Sequence, residues 1–266
     1  MQDPFASSAA LVAHARRRIA EFTTLLKDFE SSDPYELVKE NHPDHHAILY
    51  VIQFKHKPPD ELKIVSWEIF NSLRTSLDHA IFACAYANSK QPRVDHPSLR
   101  HVHFPFGKSK DEAKAGKSKA IPRDIFDLAI SFRPYANPDG DRVLHSLNEV
   151  RNIGVHRMFL PMAIFPSGYE LNSEWTPRNI GRIVSVPQQF DGLGHWDIDS
   201  QRLILGIFDE DYIVRCRLTE KPQLIFAYIK GVAGPGAIEK LNILANRIEE
   251  VTKAIRSKAY EIGLFR

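Results

Sequence analysis

From Ala163 onward the hydrophobic pattern of this chain changes period, while the stretches on either side keep the period of a helix. Asn179 to Pro187, Arg202 to Phe208, Tyr212 to Leu218 and Gln223 to Ile229 are short runs that read as strands. Gly192-Leu193-Gly194, Asp209-Glu210-Asp211 and Glu220-Lys221-Pro222 separate them as turns. A block of strands bracketed by helices implies an α+β protein: a helical bundle with an antiparallel sheet of about four to five strands packed on one side. The 266 residues, 43% hydrophobic and 26% charged, suffice for one large domain with a sizeable core. The expected organisation is a single domain over 1–266, with the bundle mainly in 7–162 and 236–262, a strand at 47–54, and an antiparallel sheet subdomain over 163–232.

The helices follow from spacing. Leu11, Ala15, Ile19, Phe22, Leu25 and Leu26 form one stripe within Ser7 to Phe29. Pro58-Pro59-Asp60 stops the early strand Ala47 to Phe54 and opens a long helix to about Asn88, whose apolar stripe is Phe70, Leu73, Leu77, Ala80 and Cys84. Pro122 to Tyr135 and Ala237 to Ile262 are further helices, and Gly140 to Leu160 is another. Between them, Ser89 to Ser118 reads as a long connection. Within it, Lys108, Lys110, Lys114, Lys117 and Lys119, with Arg123 beyond, read as a solvated loop, and His103 to Gly107 as an extended piece that packs aromatics on the bundle. From Ala163 the strands suggest a meander, joined by the early strand.

The charge balance, 35 basic against 33 acidic side chains, does not by itself demand nucleic acid. The two cysteines, Cys84 and Cys216, sit in apolar runs and read as small core residues. No apolar run reaches the roughly 18–20 residues of a membrane span, and the first residues lack the pattern of a signal peptide. A membrane partner is not expected, and the cytoplasm is the default compartment. His96, His101 and His103 offer histidine spacing, but no cysteine or acidic neighbour completes a ligand set, so no metal and no cofactor are expected. Nucleotide-binding glycine loops, zinc-protease and serine-hydrolase motifs are absent.

The chemistry concentrates on two helical segments. In the Gly140–Leu160 helix, His145, Glu149, Asn152 and His156 recur at i, i+4, i+7 and i+11, one polar face on an otherwise apolar rod, with Asn148 beside it. The long helix carries Asn71, Thr75 and Asp78 on a matching stripe, with Arg74 adjacent and His79 following. Set antiparallel, the two stripes face each other. They then form either a self-satisfied network that fixes helix register or a cleft. In a cleft, a histidine moves protons near neutral pH, an arginine holds a phosphate by paired hydrogen bonds, and an asparagine orients the histidine. That set suits metal-independent cleavage of RNA by its own 2′-hydroxyl, or the binding of a nucleotide. Arg151 and His156, five apart, lie about 140° from each other around a helix, so a joint site needs a helix end, a distortion or a second subunit.

Arg151-Asn152-Ile153-Gly154-Val155-His156 resembles the R-x(4–6)-H motif of HEPN domains, including the polar residue that often follows the arginine. HEPN domains are helical bundles, and many are metal-independent RNases with a site at a homodimer interface. The resemblance implies Arg151 and His156 as catalytic, Asn152 as helper, RNA or a nucleotide as partner, and a homodimer. Asn71, Arg74, Asp78, His79, His145, Asn148 and Glu149 would then line the binding cleft. The chain is also similar to a group of uncharacterised bacterial proteins with an NLRSALDH segment followed by an LHELNNIDKHR segment. Asn71 to His79 matches the first, and Leu144 to Arg157 resembles the second, without an implied activity.

Overall fold

The protein was analysed as a computed structural model, which describes residues 3–41, 47–89, 97–116, 119–136, 138–156, 162–165, 169–175, 195–197, 200–209, 212–226 and 236–265. The first helix, α1 (Ala6–Ser31), buries Val12, Ala15, Ile19, Phe22, Leu26 and Phe29 at alternating spacings of three and four. Its main neighbour is α2 (Asp60–Asn88), which packs along much of its length. Pro59 sets the entry to α2, and Asp60 and Glu61 in the first turn complement the positive end of its dipole. The third long helix, α6 (Ala237–Glu261), closes the bundle against α1 and α2. Two shorter helices, α4 (Arg123–Ser131) and α5 (Arg142–His156), pack on α6, and α5 also packs on α2.

Two strands, β1 (Tyr35–Asn41) and β2 (Ala47–Phe54), lie between α1 and α2 in sequence and pair antiparallel. They form one half of a four-stranded antiparallel sheet in the order β1-β2-β6-β5, with β5 at His195–Asp197 and β6 at Arg202–Asp209. Leu37, Ile52, Leu203 and Trp196 share one row across all four strands. On the same face Tyr35 and Phe54 stand opposite each other and pack on Phe29 of α1. The register between β2 and β6 shifts at Tyr50/Val51, and Gly206 then falls opposite Tyr50. A Cβ on Gly206 would come within 2.6 Å of the Phe208 ring, which packs edge-on against Tyr50. The chain is thus an α+β protein, a helical bundle joined to an antiparallel sheet by one contiguous apolar core.

The remaining strands are nested, not a meander. Met162–Phe165 (β3) pairs with Gln223–Phe226 (β8), Tyr169–Trp175 (β4) pairs with Tyr212–Leu218 (β7), and β5 pairs with β6 inside them. A meander would require β7 to pair with β6, but both edges of β6 are taken, by β2 and β5. Phe226 of β8 carries this layer into the bundle, with ring centroids 5.9 Å from Phe22 and 5.4 Å from Phe70.

Further elements depart from the sequence expectation, which places no strand at β3, β4 or β5. The strand β1 is rich in polar residues, Glu36, Lys39, Glu40 and Asn41, so its apolar alternation is weak; as an edge strand it needs only one partner, and β2 supplies it. The lysine-rich stretch expected to be loop contains the helix α3 (Lys110–Ala115). Ser109 accepts a hydrogen bond from the Glu112 N–H at 3.2 Å, and the Glu112 carboxylate accepts one from the Lys108 N–H at 2.9 Å, a reciprocal cap of the capping-box kind. The expected strand Asn179 to Pro187 lies outside the described residues. Both cysteines are free. Burial pushes the Cys84 thiol up to about 12 and that of the half-buried Cys216 up to about 11, so neither is poised as a nucleophile. Among the described residues, no helix is long and apolar enough to cross a membrane.

Candidate functional site

Helix α5 is anchored at its start. Asp141 accepts from the Leu144 N–H at 2.9 Å as an N-cap, and its second oxygen meets Arg247 Nε of α6 at 2.8 Å. Burial works against the charge on Arg247, but the hydrogen bonds it donates to Glu250 and Asp141 outweigh it and raise its pKa. One carboxylate therefore both starts α5 and fixes it to the bundle. Leu144, Leu147 and Val150 then bury one side of the helix against α2 and α6.

The seam between α2 and α5 is polar where the sequence stripes meet. Arg74 of α2, only 7% exposed, donates from Nε to Asn148 Oδ1 at 3.3 Å. Its Nη1 lies 2.5 Å from Asp78 Oδ1, one turn further along α2. The same oxygen accepts the Phe104 N–H at 2.8 Å. The guanidinium also stands 4.4 Å from the centroid of the Phe106 ring. Arg74, Asp78 and Asn148 thus form a connected group, closed by the segment that carries Phe104 and Phe106. That this aromatic segment packs on the bundle is legible in the sequence. That its backbone supplies a donor to Asp78 is not, because the two lie 26 residues apart.

The other expected residues do not join this group. His145 and Glu149 face each other loosely on α5, with Nδ1 and Oε2 3.5 Å apart. His79 is exposed, Asn71 is half-buried, and Asn152 is exposed. His156 closes α5, and its side chain lies outside the described residues. Of the histidines weighed as metal ligands, His101 and His103 are exposed and His96 lies outside the described residues.

Arg151 stands apart in one respect. It is half-buried, one turn beyond Asn148 on α5, and its Nε is enclosed without a hydrogen-bond partner among the described residues. On α2, Nη1 of Arg74 is likewise buried without an aligned hydrogen bond, since its approach to Asp78 is close but poorly directed. A buried donor left unpaired costs roughly 1–3 kcal/mol, more when charged. Arg74 is nonetheless neutralised by Asp78, whereas the enclosed Arg151 Nε, without a partner among the described residues, keeps a donor suited to an oxyanion such as a phosphate.

Comparison with protein-family models, with curated proteins and with solved structures found no match to the chain.

Proposed function

We propose that this is a HEPN-like protein that binds RNA or a nucleotide through the exposed stripe of α5. Arg151 is the phosphate contact, His156 the general acid/base and Asn152 the group that orients it. The observation that carries this reading is the enclosed Nε of Arg151, unpartnered among the described residues, immediately before the exposed Asn152 on α5. The sequence motif adds His156 at the end of the same helix. In cleavage, a histidine would take the proton from the 2′-hydroxyl, whose oxygen attacks the adjacent phosphorus. The bond to the 5′-oxygen breaks, and a protonated histidine returns a proton to that oxygen, leaving a 2′,3′-cyclic phosphate and a 5′-hydroxyl. Arg151 would stabilise the charge that builds on the phosphoryl oxygens. Two copies of α5 in a homodimer would bring both arginine–histidine pairs to one site.

The network of Arg74, Asp78, Asn148 and the Phe104 N–H favours a second reading, a non-enzymatic binding or interaction protein in which these polar groups serve helix register. The two readings separate cleanly. Purified protein in excess chelator should cut RNA to cyclic phosphate ends, and His156→Ala and Arg151→Ala should abolish cutting while the melting temperature holds. Intact RNA with the wild type, together with loss of folding in His156→Ala, would establish the structural reading instead.

A further inference from the structure

Asp78 has a second environment. Beyond the bonds it makes within the bundle, it lines a groove of about 610 Å³, within the roughly 300–1,000 Å³ typical of small-molecule sites. The α2 wall of the groove continues through His79, Phe82 and Tyr86, and Phe265 lines it from beyond α6. The Phe82 and Tyr86 rings are stacked, with centroids 6.2 Å apart and planes inclined by 28°. Phe265 packs edge-on against Phe5 at 5.4 Å. Among the described residues that line the groove, Asp78 is the sole acidic one. Its Oδ1 is committed to both the Phe104 N–H and Arg74, whereas its Oδ2 takes no hydrogen bond among the described residues.

We propose that this groove binds a planar heteroaromatic ring bearing an exocyclic amino group. The ring lies against the aromatic wall, and the amino group donates to Asp78 Oδ2. Three features select this chemistry. Aromatic side chains accept a flat π-system by stacking. The carboxylate requires a donor and repels an anion. A cationic ligand is disfavoured, because the Arg74 guanidinium already sits 2.5 Å from the other oxygen of the same carboxylate and a second positive charge would be drawn in beside it. A neutral amino donor satisfies Oδ2 without that repulsion. On the RNA or nucleotide reading, on which this identification of the source rests, the ring is an amino-bearing base: adenine, cytosine or guanine. Uracil in a nucleoside is excluded because carbonyl oxygens flank its remaining ring N–H and would face the carboxylate.

The test uses the full chain and two nucleosides that differ in one group, adenosine and purine riboside, titrated by calorimetry. Adenosine should bind, and purine riboside should bind at least about tenfold more weakly, the size of one hydrogen bond to a charged acceptor. Ala83→Phe, which adds a ring to the wall of the groove, should abolish adenosine binding with the melting temperature retained. Should that variant unfold, Tyr86→Leu is the alternative and should weaken binding severalfold. No adenosine binding at millimolar concentration, equal binding of the two nucleosides, or wild-type binding by the filled or trimmed groove would each overturn the proposal. Adenosine binding without RNA binding or cleavage would refute the RNA reading and leave the groove as a site for a free amino-heteroaromatic molecule. RNA cleavage without adenosine binding would refute the groove alone.

Discussion

The Arg74–Asp78 pair offers a quantitative test of how the seam is held. The side chain of Arg74 is 8% exposed and that of Asp78 27% exposed, so removing Asp78 leaves the arginine in a poorly hydrated place. Breaking a buried ion pair from one side costs about 3–5 kcal/mol; the partial exposure of Asp78 argues for the lower end. Asp78→Ala also strips the Phe104 N–H of its acceptor, worth about 1 kcal/mol, for a total near ~4 kcal/mol. Arg74→Met leaves Asp78 with the Phe104 N–H and with access to water, but loses the bond to Asn148, and should cost ~2 kcal/mol. The double variant has no stranded charge and should cost only ~4 kcal/mol, giving a coupling near ~2 kcal/mol. Urea unfolding of the four proteins measures this directly, provided the slope of free energy against urea stays constant. A coupling below ~0.5 kcal/mol would refute the view that the pair acts as one unit and would make Arg74 a hydrophobic spacer held by Phe106.

Three further outcomes follow from the packing. Desolvation raises the Glu30 carboxyl pKa against the opposing bond from the Leu224 N–H, and Glu30 sits in the last turn of α1, where negative charge is disfavoured. A raised folded-state pKa means that its contribution is fully present below the unfolded value of 4.5 and is lost as pH rises through the folded value. Glu30→Gln should therefore raise the melting temperature at pH 7 and give no gain at pH 4; a gain of equal size at both would refute the assignment. A Cβ on Gly107 would lie 2.4 Å from the Ala113 nitrogen and 2.8 Å from the Ser109 oxygen, both backbone atoms at the start of α3. Gly107→Ala should thus cost about 2–3 kcal/mol by calorimetry, and an unchanged melt would show that α3 shifts freely. Asp141→Ala removes the cap of α5 and the ion pair to Arg247 and should cost ~2 kcal/mol in urea, whereas Asp141→Asn keeps the cap and should recover about half.

The bundle was legible from spacing because a helix writes its buried face into the sequence every three or four residues. The extent of α2, Asp60–Asn88, agrees with the expectation to the residue, since Pro59 marks its start locally. The class, α+β, followed from the change of period at Ala163. Strand pairing did not, because nothing local in β6 says that β2 and β5 will occupy both its edges and send β7 to β4. Polar β1 and short α3 were missed for related reasons: one is a strand through its partner, the other a helix through its caps.

The same division runs through the candidate site. By itself the sequence determined that Asp78 stands on, and Arg74 and Asn148 beside, the polar stripes of two apolar helices, because the helical repeat places them there whatever surrounds them. Only the tertiary structure decided their roles. It brought Asn148 to Arg74 across 74 residues and the Phe104 N–H to Asp78 across 26, and it enclosed Arg151 Nε with no such partner among the described residues. A hydrogen bond extends about 3 Å, so whether a polar group is satisfied or left for a ligand depends on what the folded chain delivers within that distance.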